Sequence, residues 1–159
     1  MSLGSNTDTK YVNIKDGKVV YKEKDKELLY DFIEGELIDI TTPVRTFNGK
    51  QIRSWYIKLK GDDNKDYVLS IGYNSGVAKT ILNALASAED FKNIRIYPYF
   101  KGGYTKASTY SNGKKLDWKY SSLPAIEETK VGDKVIKDDS KRMDLFANIQ
   151  KDILAKIKK

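Results

Sequence analysis

"YDFIEGELIDI", residues 30–40, opens on a period of two and then breaks it. Ile33, Gly35 and Leu37 share one face of an extended strand, whereas Ile38 and Ile40 fall on the other. A glycine beside a change of parity predicts a bulge or sharp bend in a strongly coiled strand, one able to pair in both halves of a curved sheet.

The segments downstream supply partners for such a strand. "TTPVRTFNGK" (41–50) reads as a loop or hairpin tip ending in Asn48-Gly49. "QIRSWYIKLKG" (51–61) is a second strand, with Trp55, Ile57 and Leu59 pointing one way and Tyr56, Lys58 and Lys60 the other. After the turn "DDNK", "DYVLSIGY" (66–73) is a third, with Tyr67, Leu69 and Ile71 on one face. The period then lengthens. In "NSGVAKTILNALASAEDF" (74–91), Val77, Ile81, Leu85 and Ala88 form a helical stripe, N-capped by Asn74 or Ser75. "NIRIYPYF" (93–100) returns to alternation. Ile94, Ile96, Pro98 and Phe100 are expected inward and Arg95, Tyr97, Tyr99 and Lys101 outward, with Pro98 at an edge or bulge. "YTKASTYSNGKKLDWKY" (104–120) adds a hairpin about Asn112-Gly113.

From residue 30 the order is therefore three strands, a helix and two strands. That order predicts a five-stranded OB-fold barrel, with the Val77/Ile81/Leu85 stripe plugging its base. Upstream, "YVNIKDGKVVYK" (11–22) reads as a hairpin about Asp16-Gly17, preceded by a flexible leader over 1–10. The expected OB domain, with this hairpin, spans 11–125. The remainder, 126–159, holds a hairpin about Gly132-Asp133 and a helix capped by Ser140 or Asp139. Its stripe of Met143, Phe146, Ile149, Ile153 and Ile157 should pack on the barrel or on a second copy, as a homodimer.

Composition narrows the chemistry. With neither Cys nor His among 159 residues, the chain has no disulfide, no thiolate metal site and no imidazole base. No apolar run is long enough to cross a bilayer, and the N-terminus lacks the apolar centre of a signal peptide. The expected location is the cytoplasm of a bacterial or phage-infected cell, with no membrane partner. Much of the +7 net charge is concentrated in residues 93–120, which carry six Lys or Arg against one acid, Asp117.

The same segment is rich in rings. Single strands present phosphate charge and unstacked base faces whatever their sequence, so a tolerant binder needs cations and aromatics side by side. The outward set Arg95, Tyr97, Tyr99 and Lys101 supplies both at a two-residue period, and Tyr104, Lys106 and Tyr110 continue it on the next strand. Tyr56 and Lys58 would face them across a groove, with Arg53 and Tyr73 extending it. Trp55 and Trp118 are expected partly in the core. This reading predicts sequence-independent single-stranded DNA binding, with RNA left open, no cofactor, no metal and no catalysis.

Enzymatic readings are weaker. Asp62, Asp63 and Asp66 in "GDDNKD" suit an exposed turn, and Glu34, Glu36 and Asp39 a solvated strand face. "GVAKT" lacks the spacing of a phosphate loop, and "KGG" (101–103) is a turn. The second reading is a non-catalytic protein-binding OB module, or a phage structural or assembly factor, with the tyrosines as a protein hot spot.

The run from "EGELIDI" through "LSIGYNSGVAKTILNAL" to "NGKKLDW" resembles the OB-fold single-stranded DNA-binding proteins of bacteriophages and mobile elements, over about residues 11–125. The resemblance implies coating of single-stranded DNA during replication or recombination, beside partner proteins it does not identify. The chain ends "KDILAKIKK", so recruitment through an acidic tail, as in many bacterial relatives of that class, is not expected.

Overall fold

A computed structural model describes residues 10–23, 25–61, 63–73, 75–120, 127–138 and 140–157. Of the leader expected over 1–10, residues 1–9 lie outside the described residues, as do Asp62, Asn74 and Asp139, whereas Lys10 opens the first strand. The strands are β1 (Lys10–Lys15), β2 (Lys18–Glu23), β3 (Lys26–Tyr30), β4 (Ile33–Thr41), β5 (Val44–Phe47), β6 (Lys50–Lys60), β7 (Asp66–Gly72), β8 (Ile94–Lys101), β9 (Tyr104–Ser111), β10 (Lys114–Lys115), β11 (Glu127–Val131) and β12 (Lys134–Asp138). Helix α1 (Gly76–Leu85) lies between β7 and β8, and α2 (Ser140–Ile157) follows β12.

Ten strands form one open mixed sheet in the order β10-β9-β8-β4-β6-β7-β1-β2-β3, with β5 paired to β6; β11 and β12 form a separate hairpin. The expected OB-fold barrel is not what forms. A five-stranded barrel would close by pairing β7 with β9, and no such ladder exists among the described residues. The edge of β7 is taken instead by β1, which runs parallel to it and sets Val12 beside Leu69. The N-terminal hairpin, expected as an addition to a barrel, thus extends the sheet and leaves it open.

β4 is the bent strand at the centre. Ile33–Gly35 pair with β8 on one edge and Glu36–Thr41 with β6 on the other, with a register shift between Leu37 and Asp39. Ile33, Leu37 and, beyond the shift, Ile40 all reach the core. Gly35 permits the bend, since a Cβ there would stand 2.6 Å from the Lys60 carbonyl oxygen. Segment 44–47, expected as loop or hairpin tip, is the strand β5, and Lys26–Tyr30 form a strand separate from β4.

The inner face carries Trp55, Ile57, Leu59, Leu69, Ile94 and Ile96, all within 1% of full burial. α1 covers it with Ala78, Ile81, Leu82 and Leu85, and its first turn is capped by the Ser75 hydroxyl, which accepts from the Ala78 N–H at 3.2 Å. The α2 stripe of Met143, Phe146, Ile149 and Ile153 is buried in this same core, so it packs on its own chain. Gln150 Nε2 donates to the Ile40 carbonyl at 2.7 Å and Lys156 Nζ to that of Ala88 at 3.1 Å, fixing the middle and the C-terminal end of α2.

Pro98 costs the sheet nothing. The Leu116 N–H bonds the Thr109 carbonyl, so Thr109, and by alternation Ala107, direct their backbone groups away from β8. Pro98, opposite Ala107, therefore turns its nitrogen toward the β4 side, one step beyond the last β4 pair at Ile96. There the Asp16-Gly17 turn packs instead: a Cβ on Gly17, whose φ is +78°, would lie 2.7 Å from the Phe100 nitrogen.

Candidate nucleic-acid interface

The β8–β9 register assembles the principal surface. Arg95 is opposite Tyr110, Tyr97 opposite Ser108, Tyr99 opposite Lys106, and Lys101 opposite Tyr104. Residues directly opposed in an antiparallel pair project from the same side, so these eight side chains share one face while Ile94, Ile96, Ala107 and Thr109 are buried on the other. Seven of the residues singled out in the sequence are thereby brought together: Arg95, Tyr97, Tyr99, Lys101, Tyr104, Lys106 and Tyr110. Tyr104 is the most open of the rings, at 72% exposure. Phe100, expected inward, is exposed instead, because the inner layer ends at Pro98.

Phe32, just ahead of β4, completes the wall. Its ring stacks on Tyr97, with centroids 6.2 Å apart and planes within 18°, and the Arg95 guanidinium lies 4.3 Å from its centre. Arg95 is also paired with Glu34 at 2.5 Å, which fixes its guanidinium in place and offsets part of its charge. Lys18 approaches from the β1–β2 hairpin. A hydrogen bond and ion pair with Asp31 raise its pKa above the ordinary ammonium value, and Tyr97 acts in the same direction against a small effect of burial. Lys101, Lys106, Lys114 and Lys115 form no ion pair among the described residues, so their charge stays available to an anion.

At the outer edge of β9 the wall continues into a groove of about 490 Å³ lined by Tyr99, Lys106, Ser108, Lys115, Asp117 and Trp118. Trp118, expected partly in the core, is 54% exposed. Its segment is strapped across α1: Asn83 donates to the Tyr120 carbonyl at 2.8 Å and accepts from the Tyr120 N–H at 2.9 Å, and the Ser87 hydroxyl donates to the Asp117 carbonyl. The backbone of this strap is held by the helix, which leaves the indole outside. The cations flanking Trp118 were the available signal in the sequence.

The remaining four residues lie elsewhere. Tyr56 and Lys58 project from the outer side of β6, around the bend of β4. Tyr56 meets Tyr11 with centroids 6.1 Å apart, and Lys58 pairs with Asp66 at 3.6 Å. Between them and the β8–β9 wall runs an acidic lane on β4, in which Glu34 is opposite Arg95, Glu36 opposite Lys60 and Asp39 opposite Lys58. Arg53 and Tyr73 occupy the opposite side by strand alternation. Tyr73 stacks on the buried Trp55 at 5.2 Å and accepts its indole N–H through its carbonyl, and Arg53 covers the Tyr73 ring at 5.0 Å. These are packing contacts at the end of β6. Trp55 itself is 1% exposed, a core residue.

No cluster of acidic residues among those described has the arrangement of a metal site. No helix among them is long and apolar enough to cross a membrane. No family model, curated protein or solved structure matches the chain, so the functional reading rests on the geometry above.

Proposed function

We propose that the protein binds single-stranded nucleic acid, DNA foremost, without strong sequence preference, covering strands that replication or recombination exposes. The observation that carries the reading is the β8–β9 register, which alternates rings and cations on one solvent-facing side. Bases stack on Tyr97, Tyr99 and Tyr104, while Lys101, Lys106 and Lys115 follow the phosphates. Trp118 receives a further base where the wall turns over the sheet edge. Tyr56, Lys58, Arg53 and Tyr73 have no part in this path. The mechanism is equilibrium binding, with neither cofactor nor chemical step.

Fluorescence titration with oligo-dT, oligo-U and duplex at several salt concentrations tests the reading. Four or five phosphates at about 0.7 each give a slope of log K against log salt near −3 for single strands. Tyr97→Ala with Tyr99→Ala should weaken oligo-dT binding by at least about tenfold, since each base–aromatic stack contributes about 1–3 kcal/mol. A folded double mutant with unchanged affinity, or a protein that prefers duplex, overturns it. Association with another protein through the same rings would show little dependence on salt.

A further inference from the structure

A second cavity adjoins the wall, enclosing about 180 Å³ between β1–β3 and the start of β4. It is lined by Tyr21, Tyr30, Phe32 and Tyr67, with Glu34 and Lys10 as its charged residues. That volume falls below the roughly 300–1,000 Å³ of sites for drug-sized ligands, and it suits one planar ring system. Tyr30 and Phe32 are 50% and 41% exposed, so the cavity is reached from solvent past them. The Tyr67 hydroxyl is engaged by Asp63 at 2.5 Å, which holds that ring against the cavity. Lys10 Nζ lies 5.4 Å from the centre of the Tyr21 ring.

Two residues belong to both the cavity and the wall. Phe32 lines the one and stacks on Tyr97 in the other, and Glu34 lines the one and pairs with Arg95 in the other. A strand lying on the wall therefore passes the mouth of the cavity. We infer that this cavity is a guanine-preferring base subsite of the strand-binding surface, a proposal that rests on the function proposed above.

The donor and acceptor pattern selects the base. An ionised carboxylate only accepts hydrogen bonds and takes two parallel donors well, whereas an ammonium only donates. Guanine alone among the DNA bases sets two neighbouring N–H donors, at N1 and N2, beside a carbonyl acceptor at O6. Its N1–H and N2–H₂ meet Glu34, held in place by Arg95, and its O6 meets Lys10. Thymine and cytosine offer the carboxylate a single donor group, as does adenine. The aromatic sides accept any base face, so preference comes from Glu34.

The test uses the full chain and dT oligonucleotides carrying one central dG, dI, dC or dA, titrated by intrinsic fluorescence at fixed salt. The dG oligonucleotide should bind about tenfold more tightly than all-dT, in the range that a bidentate base contact discriminates. Inosine, which lacks the N2 amino group, should lose most of that preference, and dC and dA should stay within about threefold of dT. Glu34→Gln should level dG with dT, and Tyr30→Ala, checked for folding by circular dichroism, should do the same through the cavity side. Equal affinity for dG and dT in the folded wild-type protein overturns the subsite while leaving strand binding intact. Failure to bind any oligonucleotide overturns the underlying reading and the subsite with it.

Discussion

At Gly35 and Lys60 two backbones approach within the limit set by a missing side chain. A methyl group on Gly35 would meet the Lys60 carbonyl oxygen at 2.6 Å and its carbon at 2.9 Å. Backbone cannot swing aside as the tip of a side chain can. Gly35→Ala should therefore lower stability by about 1–3 kcal/mol in urea denaturation, as overpacking does. It should do so without touching the rings of the wall. An unchanged midpoint would show that the β4 bend can open freely. The glycine and the parity switch around it were both visible in the sequence, because they are local. The ring contacts of Phe32 were not, since its partners Tyr97 and Arg95 come from a strand more than sixty residues away.

Among the elements, the hairpins were the most legible. Asp16-Gly17, Asn48-Gly49 and Asn112-Gly113 each adopt paired positive φ values, the two-residue turn that matches strand twist. The last is anchored from outside. Asp90 accepts from the Lys92 N–H at 2.9 Å and from Asn112 Nδ2 at 3.0 Å, while its carbonyl accepts the Ser111 hydroxyl. The Lys92 backbone bond first, and the Asn112 amide second, hold the Asp90 carboxyl below its ordinary pKa. A depressed folded value means stabilisation that is complete above the ordinary carboxylate range and lost as pH falls through the depressed value. Thermal midpoints measured down the acid limb should fall less steeply for Asp90→Asn than for wild type, from a lower starting point near neutrality. Parallel acid limbs would show that the anchor does not depend on charge.

The second helix was legible as an amphipathic stripe, but whether it covers its own chain or another is not written in periodicity. Its answer is Phe146, wholly buried in the core shared by α1 and the sheet. Phe146→Ala should cost about 3–5 kcal/mol, as for other buried phenylalanines, and broaden or abolish a cooperative melt. A loss below about 1 kcal/mol would mean that the helix docks only loosely. The β11–β12 hairpin, a separate sheet exposed along β11, should be less affected by the same change.

At the scale of the molecule, the barrel expectation failed for a specific reason. Alternation identifies a strand and its buried face, and the expected order of strand, helix and two strands matches β7, α1, β8 and β9 between residues 66 and 111. Neither pattern says which neighbour takes a given edge. Pairing of β7 with β9 and pairing of β7 with β1 ask the same alternation of β7, and only the second is realised. The shared face of β8 and β9 does not depend on closure of a barrel, because it needs only the local pairing of those two strands. The proposed counterpart across a groove did not carry over, since it required the missing closure to bring Tyr56 and Lys58 round to face β8.

The parallel seam between β1 and β7 has a kinetic corollary. Among the described residues it is the one ladder that ties β1–β3 to the rest of the sheet, and it joins Val12 to Leu69 across a long stretch of chain. Loop closure of that length is costly, so the seam should zip late in folding and part before the central strands do. Native-state hydrogen exchange should then show β1–β3 opening as a block at lower free energy than β4, β6 and β8. Uniform protection across all strands would mean that the seam is no weaker than the centre. If the block does open, Val12 and Val19 come into water together, and the protein's weakest point under heat or protease lies at this join.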